Sequence, residues 1–482
     1  MRRSQTDPEQ SPDELSRDER RNRWRALVLC LVAGGMCLLD VSIVNVALPS
    51  IRTGLHAGDS GIQWVVAGYS VAFGMALVPA GRLGDARSRR TVFLVGVLVF
   101  AASSAACGAA PNPVWLAVAR IVQGVGGGLI TPQVSGFIQT MFKGEERGRA
   151  FGLFGATIGI STALGPLLGG VLIQVGGESE GWRWVFYVNV PIGIALLVLA
   201  SRWLPRAEGS KAASLDPFGV LLFATAVLLV LLPVVEGSQG QSLSDRPWWL
   251  VGVAVVVLAA FLVWEILWSR RQHGTLVDLS LRRIPSYVFG LSLGTFYFAG
   301  FTAIFLILTL YLQEGLGYSA LQAGATQTSF AIGSAASAYL AGRLVNRFGR
   351  RLVVVGLVVI TGSLVGLDRW VPHLHSHVGL ALAPLLFCAG FGGGMVISPN
   401  VTLSLAEVDP TRAGAGGGLL QTAQRVGSAI GVAVVLAQFF DSLSSTRGDF
   451  AEAFSDALHT TIALLVVALV LAVIDEVRRQ RG

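Results

Sequence analysis

Charge is scarce in this 482-residue sequence: Asp, Glu, Lys and Arg together make up 13% of it. A soluble domain carries about 25%. That density cannot cover a water-exposed surface of this size. It excludes an ordinary cytosolic enzyme, a disordered chain and a nucleic-acid binder, despite a net charge of +7. Lysine occurs only at Lys143 and Lys211, an arginine bias that points to a GC-rich bacterial genome. Cysteine is equally sparse. Cys30, Cys37, Cys107 and Cys388 all lie in apolar segments. Cys30 and Cys37 share a helix about 10 Å apart along its axis, too far for a disulfide, so the four read as packing residues. No phosphate-binding loop is present. The glycines at 124–128 sit inside an apolar run with no preceding strand, which removes ATP as an energy source. Paired acids and nucleophile–base sets are missing from the apolar runs, so neither catalysis nor a cofactor is expected. His373, His375 and His377 lack the further ligands and fixed geometry that a metal site needs. Asn400-Val-Thr matches a glycosylation pattern but falls at a membrane helix end.

Hydrophobic residues make up 53% of the chain, glycine occurs 59 times, and mean hydropathy is +0.64. Fourteen apolar runs of about 20 residues follow one another, each long enough to span a bilayer. Their limits are 25–48, 62–81, 91–110, 114–139, 149–175, 184–203, 216–236, 247–268, 286–313, 321–342, 351–371, 378–400, 412–438 and 456–475. Backbone groups in hydrocarbon must be satisfied internally, so the runs are helices. With the N-terminus inside, 29 of the 36 basic residues fall in cytoplasmic segments. Five lie outside (Arg52, Arg183, Arg246, Arg369, Arg447), and Arg120 and Arg425 lie within spans. This asymmetry supports fourteen spans with both termini cytoplasmic.

An internal repeat orders the spans. GRLGDARSRR (Gly81 to Arg90) follows the second, and GRLVNRFGRR (Gly342 to Arg351) follows the tenth, matching at five of ten positions. Two six-helix halves of parallel topology, with two helices inserted between them, explain that offset, and such repeats place a substrate site near the midplane between halves. The expected organisation is a disordered cytoplasmic tail over 1–24, a first half over 25–205, a linker with the inserted pair over 206–270, a second half over 271–476, and a basic tail over 477–482. The inserted pair carries no evident buried charge, and Asp40 stands as the one acid deep within a span.

Four strings in the first half carry chemistry. LLDVSIVNVALP (Leu38 to Pro49) places Asp40 in an apolar helix. A carboxylate there is costly and marks a proton or cation path; Asn45, five residues on, reads as an interhelical hydrogen bond. GRLGDARSRR places Asp85 where it can cap the start of the third span and pair with a neighbouring Arg. LAVARIVQGVGGG (Leu116 to Gly128) puts Arg120 and Gln123 one turn apart, and a buried Arg needs a partner, for which Asp40 is the deepest candidate. GATIGISTALGPLLGG (Gly155 to Gly170) makes a flat small-residue face that another helix can approach closely, and Pro166 interrupts its hydrogen-bond ladder. After it, WRWVFYVNVP (Trp182 to Pro191) brings interfacial aromatics and Asn189, a weaker candidate. In the second half, Arg425 in QTAQRVGSAIG is a second buried cation. Gln421 and Gln424 lie beside it, and structural and substrate-path roles stay equally open. Glu314, at the outer end of the ninth span, is a secondary acid.

Together these strings resemble the major facilitator superfamily, and more narrowly its 14-helix drug:proton antiporters, over residues 25–475. The second string is similar to the superfamily's loop motif through Gly81, Leu83, Asp85, Arg89 and Arg90, with Ala86 and Ser88 departing from it. The resemblance implies a conformational latch there. Asn346 replaces the acid in the second copy, which should therefore gate less. The third string resembles the superfamily's R-x-x-Q-G-x-G motif, which implies that Arg120 tunes proton transfer. The fourth, through Gly155, Gly159, Gly165, Pro166, Gly169 and Gly170, resembles the motif that marks exporters rather than importers. The implied protein is an all-helical, multi-pass transporter of the inner membrane. It would act as a monomer, exchange protons for small amphipathic or cationic drugs or antibiotics, and have no enzymatic activity. A proton-coupled metabolite symporter or a lipid flippase on the same fold is the alternative.

Overall fold

The computed structural model describes residues 17–177, 180–205, 216–236, 247, 249–269, 279–373, 377–409 and 412–481. The described residues are helical throughout, with no strand among them. The first half comprises α1 (Arg17–Gly54), α2 (Asp59–Ala86), α3 (Arg89–Gly108), α4 (Pro113–Met141), α5 (Gly144–Gly176), the short α6 (Trp182–Tyr187) and α7 (Asn189–Trp203). Then come α8 (Pro217–Glu236) and α9 (Trp249–Ser269). The second half comprises α10 (Pro285–Leu310), ending in a π-helical turn at Tyr311–Gly315, and α11 (Ala320–Phe348), α12 (Arg350–Trp370), α13 (Val378–Ser404), α14 (Ala413–Ser445) and α15 (Phe450–Arg481). His375 lies outside the described residues.

These helices overlie the apolar runs. Eleven helices among the described residues are long and apolar enough to cross a membrane. α5, α8 and α11 are not among the eleven; α5 and α11 are rich in Gly, Ala, Ser and Thr and pack against each other between the halves. α1 starts at Arg17, well before its apolar run. Its first turns are held by Arg20 and Arg23, which pair with Glu146 at the head of α5, and Arg23 donates to the Met141 carbonyl that ends α4 (2.9 Å).

Two apolar cores divide the molecule. One centres on Phe93, Phe137 and Phe151 of the first half and takes in Tyr287, Val401 and Leu420 of the second; the other is built from α10 to α15 around Ile307, Leu357 and Phe439. The halves meet along two seams, α2 against α14 and α5 against α11. Glycine makes both seams possible. A Cβ on Gly81 would lie 2.3 Å from the Gly414 carbonyl oxygen, and one on Gly152 would lie 2.9 Å from the Gly342 Cα.

The α8–α9 pair packs beside the first seam. Phe223, Val227 and Phe261 form a cluster with Val71 and Val78 of α2, and Leu419 and Ala429 of α14 pack against it. Contrary to expectation, this pair does bury charge. Asp216 and Glu265 are fully enclosed at one end of it, where the Trp264 indole donates to Asp216 Oδ2 (2.6 Å). A carboxylate at a hairpin end can be sheltered by an indole without entering the midplane, which hydropathy over a 20-residue window does not register. Asp475 of α15 and Asp85 of α2 are likewise buried, so Asp40 is one of several enclosed acids.

Within the second half, α11 and α13 touch at Gly390, whose added Cβ would lie 1.9 Å from the Phe330 carbonyl oxygen. Gly390→Val is expected to destabilise the protein by about 1–3 kcal/mol through overpacking. Gly170→Ala, at a site with nothing within 4 Å of the added Cβ, should be neutral. Thermal unfolding of the two purified variants in detergent checks both.

Candidate functional site: a buried ion pair and an inter-half latch

Asp40 sits within α1 with 1% exposure, and two helices supply three donors to it. Arg120 Nη1 of α4 reaches Oδ2 at 2.5 Å, while Gln123 Nε2 of α4 and Asn189 Nδ2 of α7 reach Oδ1 at 2.8 and 2.9 Å. Arg120 also donates to the Val65 carbonyl (3.0 Å) and to Gln123 Oε1 (2.7 Å), and it lies over the Tyr69 ring at 4.2 Å. Ser104 of α3 accepts from Gln123 and Asn189 and passes its own proton to the Phe186 carbonyl (3.0 Å). The cluster thus ties α1, α3, α4 and α7 together through one carboxylate. Breaking one partner of such a buried pair costs about 3–5 kcal/mol, because the other charge is left uncompensated.

The predicted meeting of Asp40, Arg120 and Gln123 is present. Asn189 belongs to the same cluster, placed by the break at Val188 between α6 and α7. Ser104 was missed; a serine pair in an otherwise apolar helix was its only signal. Asn45 is exposed, and among the described residues it forms no hydrogen bond, so the interhelical bond expected of it is not made. Glu314 is exposed in the π-helical turn after α10, away from this cluster.

The repeated loop is mostly helix. α2 continues to Ala86, and only Arg87 and Ser88 separate it from α3. Asp85 does not cap α3; Ser88 does, accepting from the Thr91 amide. Asp85 faces the other half and caps α14, accepting from the Gly414 and Ala415 amides (3.2 and 2.8 Å). A carboxylate at a helix N-terminus is favoured both by the unbonded amides and by the helix dipole. Arg89 clamps Asp85 from Nε and Nη2 (3.1 and 2.8 Å) and donates to the Gly136 carbonyl (3.2 Å). Arg90 instead reaches the Ser201 carbonyl near the end of α7. Gln139 of α4 adds a second crossing, donating to the Leu405 carbonyl that follows α13 (2.7 Å) while Arg147 donates to its oxygen (2.8 Å). A glutamine near a basic loop carries no local sign of that partner.

In the second copy, Arg350 occupies the place of Arg89. With Asn346 instead of an acid, its counter-charge comes from Asp475 of α15 (2.5 Å), supported by the Asn400 side-chain oxygen (2.5 Å) and the Ser286 carbonyl (3.2 Å). This anchor stays inside one half and does not bridge the two.

The glycines of α5 serve two neighbours. Gly155 and Gly159 approach Ser398 and Ser334 of the second half, whereas Gly165 and Gly169 approach Ser42 and Ile43 of α1. Gly170 meets nothing, and the helix runs continuously through Pro166. The α5–α11 seam is therefore tight from Gly148 to Gly159. Beyond it lies a small void of about 20 Å³, lined by Ile158 and Gly159 of α5 and by Phe301, Phe305, Gln327 and Phe330 of the second half.

Two variants test these contacts. Asp85→Ala removes a helix cap, worth about 0.5–2 kcal/mol, so maleimide labelling of a cysteine introduced at Ser135, on the α4–α14 contact, should quicken roughly 2- to 30-fold. Asp475→Ala is expected to cost about 3–5 kcal/mol by stranding Arg350, read as a large drop in thermal stability.

Comparison with known proteins gives the family of the chain. A probable actinorhodin transporter of Streptomyces coelicolor is 37% identical over 428 residues, 88% of this chain and 73% of its own. The puromycin resistance protein pur8 of Streptomyces alboniger is 34% identical, covering 93% and 90% of the two chains. The cephamycin export protein CmcT of Amycolatopsis lactamdurans is 33% identical, covering 94% and 92%. Among solved structures, the proton:xylose symporter XylE superposes with a TM-score of 0.66 at 16% identity, over 94% of this chain and 95% of that one, which shows the shared fold. The sequence profile of the Major Facilitator Superfamily matches residues 30–432 and 290–479. With that match, these relatives and the fold, the chain belongs to the Major Facilitator Superfamily, a family of multi-pass membrane transporters.

Proposed function

We propose that this transporter is a proton-coupled antiporter. It exports small amphipathic organic compounds, antibiotics among them, across the plasma membrane by alternating access. Fourteen spans with both termini cytoplasmic fit the arginine distribution. On that orientation the latch end is cytoplasmic and the halves are closed there.

The observation that carries the reading is the Asp40–Arg120 pair. Its ionised form holds four helices in register. Protonating Asp40 removes the negative charge and strands Arg120, so the proton and the arrangement of α1, α4 and α7 are coupled by necessity. Inward release of the proton restores the pair. The membrane potential adds about 2.3 kcal/mol per charge per 100 mV, which sustains a gradient of roughly 50-fold if one net charge moves. Export is supported by the small-residue motif of α5 and by relatives named a probable actinorhodin transporter, a puromycin resistance protein and a cephamycin export protein. An apolar cavity with few polar groups favours amphipathic cargo, because desolvating highly polar molecules costs more.

Everted vesicles energised by an imposed proton gradient test this with a panel of dyes and antibiotics. The expected result is uncoupler-sensitive accumulation that falls at least tenfold in Asp40→Asn, with the folded protein retained. Full gradient-driven activity in that variant would falsify the coupling role. Uptake into right-side-out cells under the normal gradient would instead favour the symporter.

A further inference from the structure

Three arginines enclosed among the helices have their own carboxylate: Arg89 has Asp85, Arg120 has Asp40 and Arg350 has Asp475. Arg425 of α14 does not. Among the described residues it makes no ion pair and no hydrogen bond, and its one close contact is the face of Phe73, 4.5 Å from the ring centre. Of the two glutamines beside it, Gln421 is committed elsewhere, donating to Ser135 Oγ (3.2 Å). Gln424 lies toward Gly294 of α10.

The direction of the side chain matters. Its nearest electrostatic neighbours are Tyr69 and Cys37, on α2 and α1 of the opposite half. The guanidinium therefore points across the seam into the space between halves, not toward lipid. The residue is largely enclosed, and among the described residues no carboxylate pairs with it. A lone cation in a membrane span is costly and is retained where something supplies the counter-charge.

Phe73 also joins Arg425 to the proton site. Arg120 lies over the Tyr69 ring at 4.2 Å, the Tyr69 and Phe73 rings are 5.8 Å apart, and Arg425 covers Phe73. An aromatic ligand stacked in this region would place an acid group against the free fork of Arg425, which suits a carboxylate bidentately.

We propose that Arg425 is the specificity-determining residue of the transport site and that the preferred cargo is an aromatic organic acid, bound as its anion between the halves. This rests on the export reading for direction and coupling, but the binding claim stands apart from them. It narrows the amphipathic or cationic cargo expected from the sequence to an amphipathic anion.

The test uses purified full-length transporter and three fluorescent probes: 2-anthracenecarboxylate, its methyl ester and a 2-anthryl-trimethylammonium salt. Wild type is expected to bind the carboxylate at least tenfold more tightly than the ester and the cation. Arg425→Gln should remove that preference while leaving ester affinity within about twofold, and Arg425→Lys should keep part of it. Size-exclusion profiles confirm folding, and unchanged ester binding confirms an intact site. Equal affinity of wild type for acid and ester overturns the proposal, and so does an undiminished acid preference in Arg425→Gln. Export has a separate arm. Acid-selective binding with proton-driven transport unaffected in Asp40→Asn would defeat the coupling role of Asp40 and leave this one standing.

Discussion

A charge placed among membrane helices must find its counter-charge or hydrogen-bond donors inside the protein, and the architecture follows from that constraint. Asp40 gathers Arg120, Gln123 and Asn189, and so positions α1, α4 and α7 around one carboxylate. Arg350 gathers Asp475 and Asn400 and fastens α12, α13 and α15 in the same way. Each half thus has an ionic knot surrounded by an apolar core. The knots differ in reach: the first lies midway along its helices, and the second lies at the end where the repeated loop turns.

The seams obey a different rule. No apolar driving force distinguishes helix from lipid, so the halves adhere through close backbone approach and directed polar contacts. Glycines supply the first along α5–α11 and α2–α14. Asp85 supplies the second by capping α14 across the seam. A capping bond is suited to a reversible joint. Helix amides left without a carboxylate can turn to water, whereas a buried carboxylate left without its arginine cannot do so as cheaply. The division of labour is then clear: ion pairs hold each half together, and a helix cap holds the halves to each other.

Local pattern made much of this legible. Apolar runs announced the helices because the bilayer imposes one length and one composition on them. Asp40, Arg120 and Gln123 stood out as polar residues in apolar stretches, and the spacing of Arg120 and Gln123 put them on one face. What the sequence concealed were partners remote in the chain. Asp85 looks like a cap for the helix three residues ahead, yet its amides belong to Gly414 and Ala415. The missing acid at Asn346 is made good by Asp475, from the last helix. Asn45 and Glu314, an expected interhelical bond and a secondary acid, are both exposed and apart from the Asp40 cluster. The acids of the α8–α9 pair escaped notice because they lie where apolar runs end.

The position of α8 and α9 makes the two seams unlike. In a plain two-fold arrangement, both would have hydrocarbon as their neighbour. Here Phe223, Val227 and Phe261 lie along α2 and α14, while Ile332, Tyr339 and Leu340 leave α11 bare beside the other. If the halves rock, as the proposed alternating access requires, one flank shears protein against protein and the other protein against acyl chains. The friction of the motion, and its sensitivity to bilayer fluidity, is concentrated on a single side of the molecule.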